Sequence, residues 1–124
     1  MQTLQIEATK YTPYIKMDPS GIFEIYGKSY PENTFEFYQP MIDWLEEYFQ
    51  NPKQTTILNM EIIYFNSSSS KLLFDLFDLL EENQGKTDIT INWIYDEENE
   101  TALEAGEEFL EDFETLKINL QQKP

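Results

Sequence analysis

Ile57-Leu58-Asn59-Met60-Glu61-Ile62-Ile63-Tyr64-Phe65-Asn66-Ser67-Ser68-Ser69-Ser70-Lys71-Leu72-Leu73-Phe74 decides how this chain is read. Its first half is an apolar run of strand length. Its second half changes to a helical period, which predicts a helix from Ser68 to about Asn83. Leu72, Leu73, Leu76, Leu79 and Leu80 form its inner stripe, and Asp75, Asp78 and Glu82 its outer one. Phe74 and Phe77 fall at the border of that stripe, with Ser70 one turn before Phe74, and Gln84-Gly85 reads as a helix stop. Four consecutive hydroxyls therefore sit where a strand ends and a helix begins. One Ser is enough to cap a helix, because a single side-chain oxygen accepts from a free N–H of the first turn. A helix start also welcomes a phosphate electrostatically. Spacing alone leaves both readings open: a Ser-rich cap, or a phosphorylatable switch.

The strand before the serines sets the layer count. Within Thr55–Phe65, Leu58, Met60, Ile62 and Tyr64 share one apolar face, while Asn59 and Glu61 interrupt the other. Asp88–Tyr95 repeats the pattern, with Ile89, Ile91, Trp93 and Tyr95 against Thr90, Asn92 and Ile94. Strands covered on both faces would be apolar throughout. The inference is an α/β fold of two layers: a mixed β-sheet with helices on one face.

Upstream, Tyr14–Asp18 and Ile22–Tyr26 alternate around Pro19-Ser20-Gly21 and predict a hairpin that ends at Gly27. Pro31 biases Tyr30 toward extended backbone. Asn33 followed by Glu36 resembles a capping box, opening a helix to about Gln50. Phe37, Met41, Trp44, Leu45, Tyr48 and Phe49 are its expected inner stripe, and Pro40 predicts a kink or a restart near Gln39.

Downstream, Asp96 to Glu114 holds ten acids and no base. Asp96–Glu100 lacks the spacing of a calcium loop, so no metal site is read there. The helix that follows is expected to turn Ala102, Leu103, Gly106, Phe109, Leu110 and Phe113 inward. Glu100, Glu104, Glu108 and Asp112 then form a solvated face or, as the second reading, a docking face for a basic partner. Leu116–Leu120 reads as a last short strand and Gln121–Pro124 as a frayed tail. The element order is thus β-β-α-β-α-β-α-β, with residues 1–124 as one domain.

Composition narrows the functions. With 8 Lys, no Arg and 24 acids, the net charge is −16. A nucleic-acid backbone is a poor ligand for such a surface, and a basic protein partner is a good one. Without His or Cys there is no Ser-His-Asp triad, no Cys-His pair and no His/Cys zinc site. Phosphate-cradling glycine loops are absent, so no cofactor is expected. No apolar run approaches the length of a membrane span and no signal-peptide pattern opens the chain, which predicts a cytoplasmic protein without membrane insertion.

Particular strings then resemble the SiaC-type family of bacterial regulatory phosphoproteins. They are Thr12-Pro13, Asp18-Pro19 with Gly21, Gly27-Lys28-Ser29-Tyr30-Pro31-Glu32-Asn33, Pro40 with Trp44-Leu45, Tyr64–Lys71 and Glu104–Phe109. The resemblance implies a fold similar to the anti-sigma-factor antagonist (STAS-like) domains and a role in a bacterial partner-switch pathway. It implies a hydroxyl phosphorylated by a partner kinase and freed by a PP2C-like phosphatase. The family site is the residue directly after the motif Asn, often Thr, which falls here on Ser67, with Ser68 and Ser69 as alternatives. It also implies an effector protein such as a diguanylate cyclase. Tyr30, Glu32, Asn33, Asn66, Ser67, Ser68, Ser70 and Phe74 are the candidate partner-binding residues. Two other readings compete: an acidic interaction module without a switch, and a carboxylate-based enzyme using Glu32 and Glu61.

Overall fold

One sheet holds all six strands in chain order: β1 (Leu4–Ile6), β2 (Tyr14–Met17), β3 (Ile22–Ser29), β4 (Thr55–Phe65), β5 (Asp88–Tyr95) and β6 (Lys117–Gln122). This is the arrangement in the computed structural model, which describes residues Met1–Pro124. Strands β1 to β3 pair antiparallel, and β3 to β6 run parallel. Each parallel step is bridged by a helix: α1 (Thr34–Tyr48), α2 (Ser67–Glu82) and α3 (Glu100–Asp112). Crossovers of one hand, always adding a strand on the same side, leave every helix on one face.

Burial follows that geometry. Phe23, Leu58, Ile91 and Ile118 share one register row and are all buried. In the next row Glu24, Asn59, Asn92 and Asn119 are not buried. There Asn92 donates to Asn59 Oδ1 at 2.7 Å and Asn119 donates to Asn92 Oδ1 at 3.1 Å, so the open face satisfies its own amides across the strands. The two-layer α/β fold expected from the alternation is what forms. The expected element order is present, preceded by β1, a three-residue strand the alternation did not reveal.

Several local expectations are corrected. Strand β3 does not end at Gly27; the ladder shifts register there, where φ is 129°, and continues to Ser29. Helix α1 neither stops nor restarts at Pro40. Pro40 and Glu36 are exposed, so the carbonyl that loses its partner faces water. Tyr38 joins Met41, Leu45, Tyr48 and Phe49 in the core. Leu110 is 47% exposed rather than inward. Strand β6 reaches Gln122, and Lys123 N–H still donates to Tyr95 O at 2.8 Å, so the tail is held further than predicted.

Three Asn residues cap the three helices at equal sequence intervals. Asn33 accepts from Glu36 N–H, Asn66 from Ser69 N–H and Asn99 from Ala102 N–H. The cap of α2 is therefore Asn66, not a Ser. All four serines lie inside the helix, which starts one residue earlier than predicted.

Candidate functional site

Strands β3 and β4 are parallel neighbours, so their C-terminal ends lie side by side. Lys28 pairs with Tyr64 and Ser29 with Phe65. The loop into α1 and the entry to α2 must therefore meet. Asn66 N–H donates to Ser29 O at 3.1 Å, and the hydroxyls of Thr34 and Ser68 are 2.7 Å apart. The Ser-Tyr-Pro-Glu-Asn string and the Tyr-Phe-Asn-Ser-Ser string thus form one surface.

The four serines have four different surroundings. Ser69 is fully buried, and its hydroxyl lies 2.8 Å from that of Ser29. Ser29 in turn bonds the Tyr38 hydroxyl, and burial pushes that phenol up to about 12. Ser68 is exposed, but its hydroxyl donates to Asn66 Oδ1 at 3.2 Å and shares a hydrogen bond with Thr34. Ser70 is half-buried. Ser67, the first residue of α2, is exposed. In its turn, Ser69 N–H is taken by Asn66 Oδ1 and Ser70 N–H by Asn66 O. That leaves the Ser67 and Ser68 N–H groups at the positive end of the helix. Among the alternatives, Ser69 is out of a kinase's reach in this fold, because its hydroxyl is under the surface.

Aromatic side chains surround this end of the sheet. Tyr30 stands edge-on between Tyr11 and Tyr64, at centroid distances of 5.2 and 5.3 Å. Tyr64 is 54% exposed, although its strand parity predicted an inward face. Strand β4 holds one extra residue, Ile63, between the Gly27–Ile62 and Lys28–Tyr64 pairs, which turns Tyr64 outward beside exposed Lys28 and lets Phe65 pack against the core instead. Phe35, in the first turn of α1, is 59% exposed, with Lys71 Nζ 5.5 Å from its ring centroid. Tyr11, Tyr30, Pro31, Glu32 and Phe37 line a cleft of about 770 Å³ beside them. Glu32 and Asn33 are exposed. Phe74 does not join this surface: it packs against Phe109 and Phe113 under α3, at 5.0 and 5.8 Å.

The paired-carboxylate alternative loses its geometry. Glu61 lies on the open side of the sheet in a shallow cleft with Ile63 and Asn99, and Lys123 bridges it at 3.2 Å. Glu32 lines the separate cleft by Tyr30. The two acids do not converge on a common reacting atom, as acid–base catalysis requires.

The sequence reading missed Ser29, Thr34, Tyr38 and Phe35 as parts of this end of the molecule. Thr34 and Phe35 acquire their places through Ser68 and Lys71 on the next helix, Ser29 through the parallel register and Ser69, and Tyr38 through its bond to Ser29, and no local pattern carries that.

Comparison with known proteins matches residues 6–123 to the SiaC family regulatory phosphoprotein description. An uncharacterized protein of Pseudomonas aeruginosa strain UCBPP-PA14 is 40% identical over 114 residues, which is 90% of each chain. Among solved structures, SiaC of Pseudomonas aeruginosa superposes with a TM-score of 0.90 at 35% identity, covering 99% of this chain and 100% of that one. A further match, with a TM-score of 0.90 at 37% identity, covers 97% of this chain and 99% of the other. It comes from the crystal structure of diguanylate cyclase SiaD in complex with its activator SiaC, from Pseudomonas aeruginosa.

Proposed function

This chain belongs to the SiaC family of regulatory phosphoproteins, a family of regulators rather than of enzymes, and we propose that Ser67 is the hydroxyl on which its regulation turns. One observation carries the choice. Ser67 is the exposed serine directly after the capping Asn66, while Ser68 is engaged by Thr34 and Asn66 and Ser69 is buried against Ser29. A partner kinase adds the phosphoryl group and a PP2C-like phosphatase removes it. The effector is a diguanylate cyclase, by analogy with the solved complex of a relative. A cytoplasmic location goes with this reading, and no helix is long and apolar enough to cross a membrane.

The physics separates folding from binding. A phosphoryl group adds roughly −1.5 to −2 charges and three acceptor oxygens. At the start of α2 it meets the favourable end of the helix dipole, typically worth 0.3–1 kcal/mol. Lys71, four residues on, lies on the same helix face. Against these stands repulsion from a chain already at −16, screened over about 8–10 Å. The terms oppose one another and the fold is largely indifferent. A partner seated on Tyr30, Glu32, Asn33, Asn66, Ser67, Ser68 and Ser70 must instead desolvate a dianion, which costs several kcal/mol unless it brings a counter-charge. Tyr64 and Phe35 supply the exposed aromatic area such a partner can bury.

Mapping the phosphate by mass spectrometry on protein isolated from its own cells tests the assignment. The expected result is a single phosphoryl group on Ser67, absent from Ser67→Ala. Phosphate on Ser68 in the wild-type chain would overturn the choice of residue, and a chain never phosphorylated would leave only a capped helix.

A further inference from the structure

Helices α1 and α2 run side by side, and the outer seam between them is not closed. Phe35, Ile42, Leu72 and Leu79 form its apolar floor, in a groove of about 270 Å³. Phe35 and Ile42 are seven residues apart on one helix, and Leu72 and Leu79 seven apart on the other, the spacing of a coiled-coil seam that awaits another helix. The stretch from Phe35 to Glu46 rises about 16 Å along α1, room for roughly three turns of a docked helix. The rim is one-signed: Glu46, Asp75, Asp78 and Glu82 are all exposed acids. The one base at the groove is Lys71, lying over Phe35 at the end nearest the serines.

We propose that this groove receives an amphipathic helix of a partner protein, with a Leu-type stripe seated on Ile42, Leu72 and Leu79 and Lys or Arg flanking it. Charge complementarity selects that occupant. Four acids with no base beyond the mouth repel acidic or neutral helices and attract basic ones. A second copy of this chain fits poorly, because the exposed faces of its own three helices are acidic with Lys71 as the single exception. The inference rests on reading the chain as a protein that captures a partner, not on Ser67 being the modified residue.

The test titrates the unmodified full chain, labelled for amide NMR, with a synthetic Leu/Lys amphipathic peptide of about four turns. Charge alone would send this peptide to the acidic face of α3, where Glu104, Glu108 and Asp112 are exposed but no apolar cleft lies between two helices. The groove predicts shifts confined to α1 and α2 around Ile42, Asp78 and Leu79. It also predicts about tenfold weaker binding by Asp78→Lys/Glu82→Lys, both surface changes that leave the core intact, and no binding of a Leu/Glu peptide of the same pattern. Shifts centred on α3, or affinity unmoved by the double reversal, would overturn the proposal. So would concentration-dependent shifts of the groove without peptide, which would make a second copy its occupant. No kinase or phosphate enters the experiment, so its failure leaves the Ser67 reading standing.

Discussion

The hydroxyl of Ser69, in the first turn of α2, lies 2.8 Å from the hydroxyl of Ser29 at the end of β3, with both residues fully buried. This bond ties the entry of one helix to the end of a neighbouring strand. It gives two serines of one helical turn opposite duties, Ser69 holding the fold and Ser67 facing outward.

That division is measurable as stability. Ser69→Ala removes a buried hydrogen bond while Ser29 keeps Tyr38, so it should cost about 1 kcal/mol. Ser67→Ala touches only the surface and should stay within about 0.5 kcal/mol of wild type. Urea denaturation of the two variants side by side checks the order; equal losses would contradict it.

Tyr38 gives the fold an alkaline limit. Its phenol ionises near pH 10 in the unfolded chain and at about 12 when buried. Below pH 10 both states hold the proton, and the contribution is fully present. Between 10 and 12 only the unfolded state releases it, so stability falls as pH rises, by on the order of 2–3 kcal/mol across the window. Tyr38→Phe should flatten that decline in denaturation curves recorded at several pH values.

Asn66 is asked to cap α2 through its side chain and to accept from Ser68. Asn66→Ala should cost about 1 kcal/mol. Asn66→Asp keeps an acceptor at the same place and suits the helix dipole, so thermal unfolding should leave it near wild type.

Gly106 permits α3 to sit on the sheet. A Cβ there would fall 2.6 Å from Trp93 Cδ1 and 2.8 Å from Leu120 Cδ2. Gly106→Ala should therefore destabilise by about 1–3 kcal/mol despite its better helix propensity. The Trp93 indole, which donates to Ala102 O at 2.8 Å, should report the shift in its fluorescence.

What was legible in the sequence is what local physics decides. The bounds of β4 and β5 and the Asn33 cap follow from alternation and side-chain chemistry and appear as read. Of the inner stripe of α2, Leu72, Leu73, Leu76 and Leu80 are buried, but Leu79 is half-buried and Phe77, read as a border residue, is fully buried in its stead. Position Ser67 was reached through the family strings, and its exposure and the commitments of its neighbours emerge only in three dimensions. The misses share one cause. Strand β1 has three residues and is defined by pairing with β2 and by Trp44 donating to Gln2 O. Tyr64 has inward parity by simple alternation, but the extra residue Ile63 in the ladder with β3 turns it outward and puts Phe65 against the core. Phe74 reads as a border residue until α3 supplies Phe109. Each depends on a partner distant in sequence, and periodicity carries no information about distant partners.

The central claim is that phosphate on Ser67 changes binding and not folding. Calorimetric titration of stoichiometrically Ser67-phosphorylated chain and of unmodified chain into the purified diguanylate cyclase proposed as its effector tests it most directly, with melting curves taken on the same samples. The predicted result is melting temperatures within a few degrees of each other and an affinity lowered by two orders of magnitude or more, the equivalent of about 3 kcal/mol. Equal affinity of the two forms would contradict the account, as would a loss of binding that merely tracked unfolding.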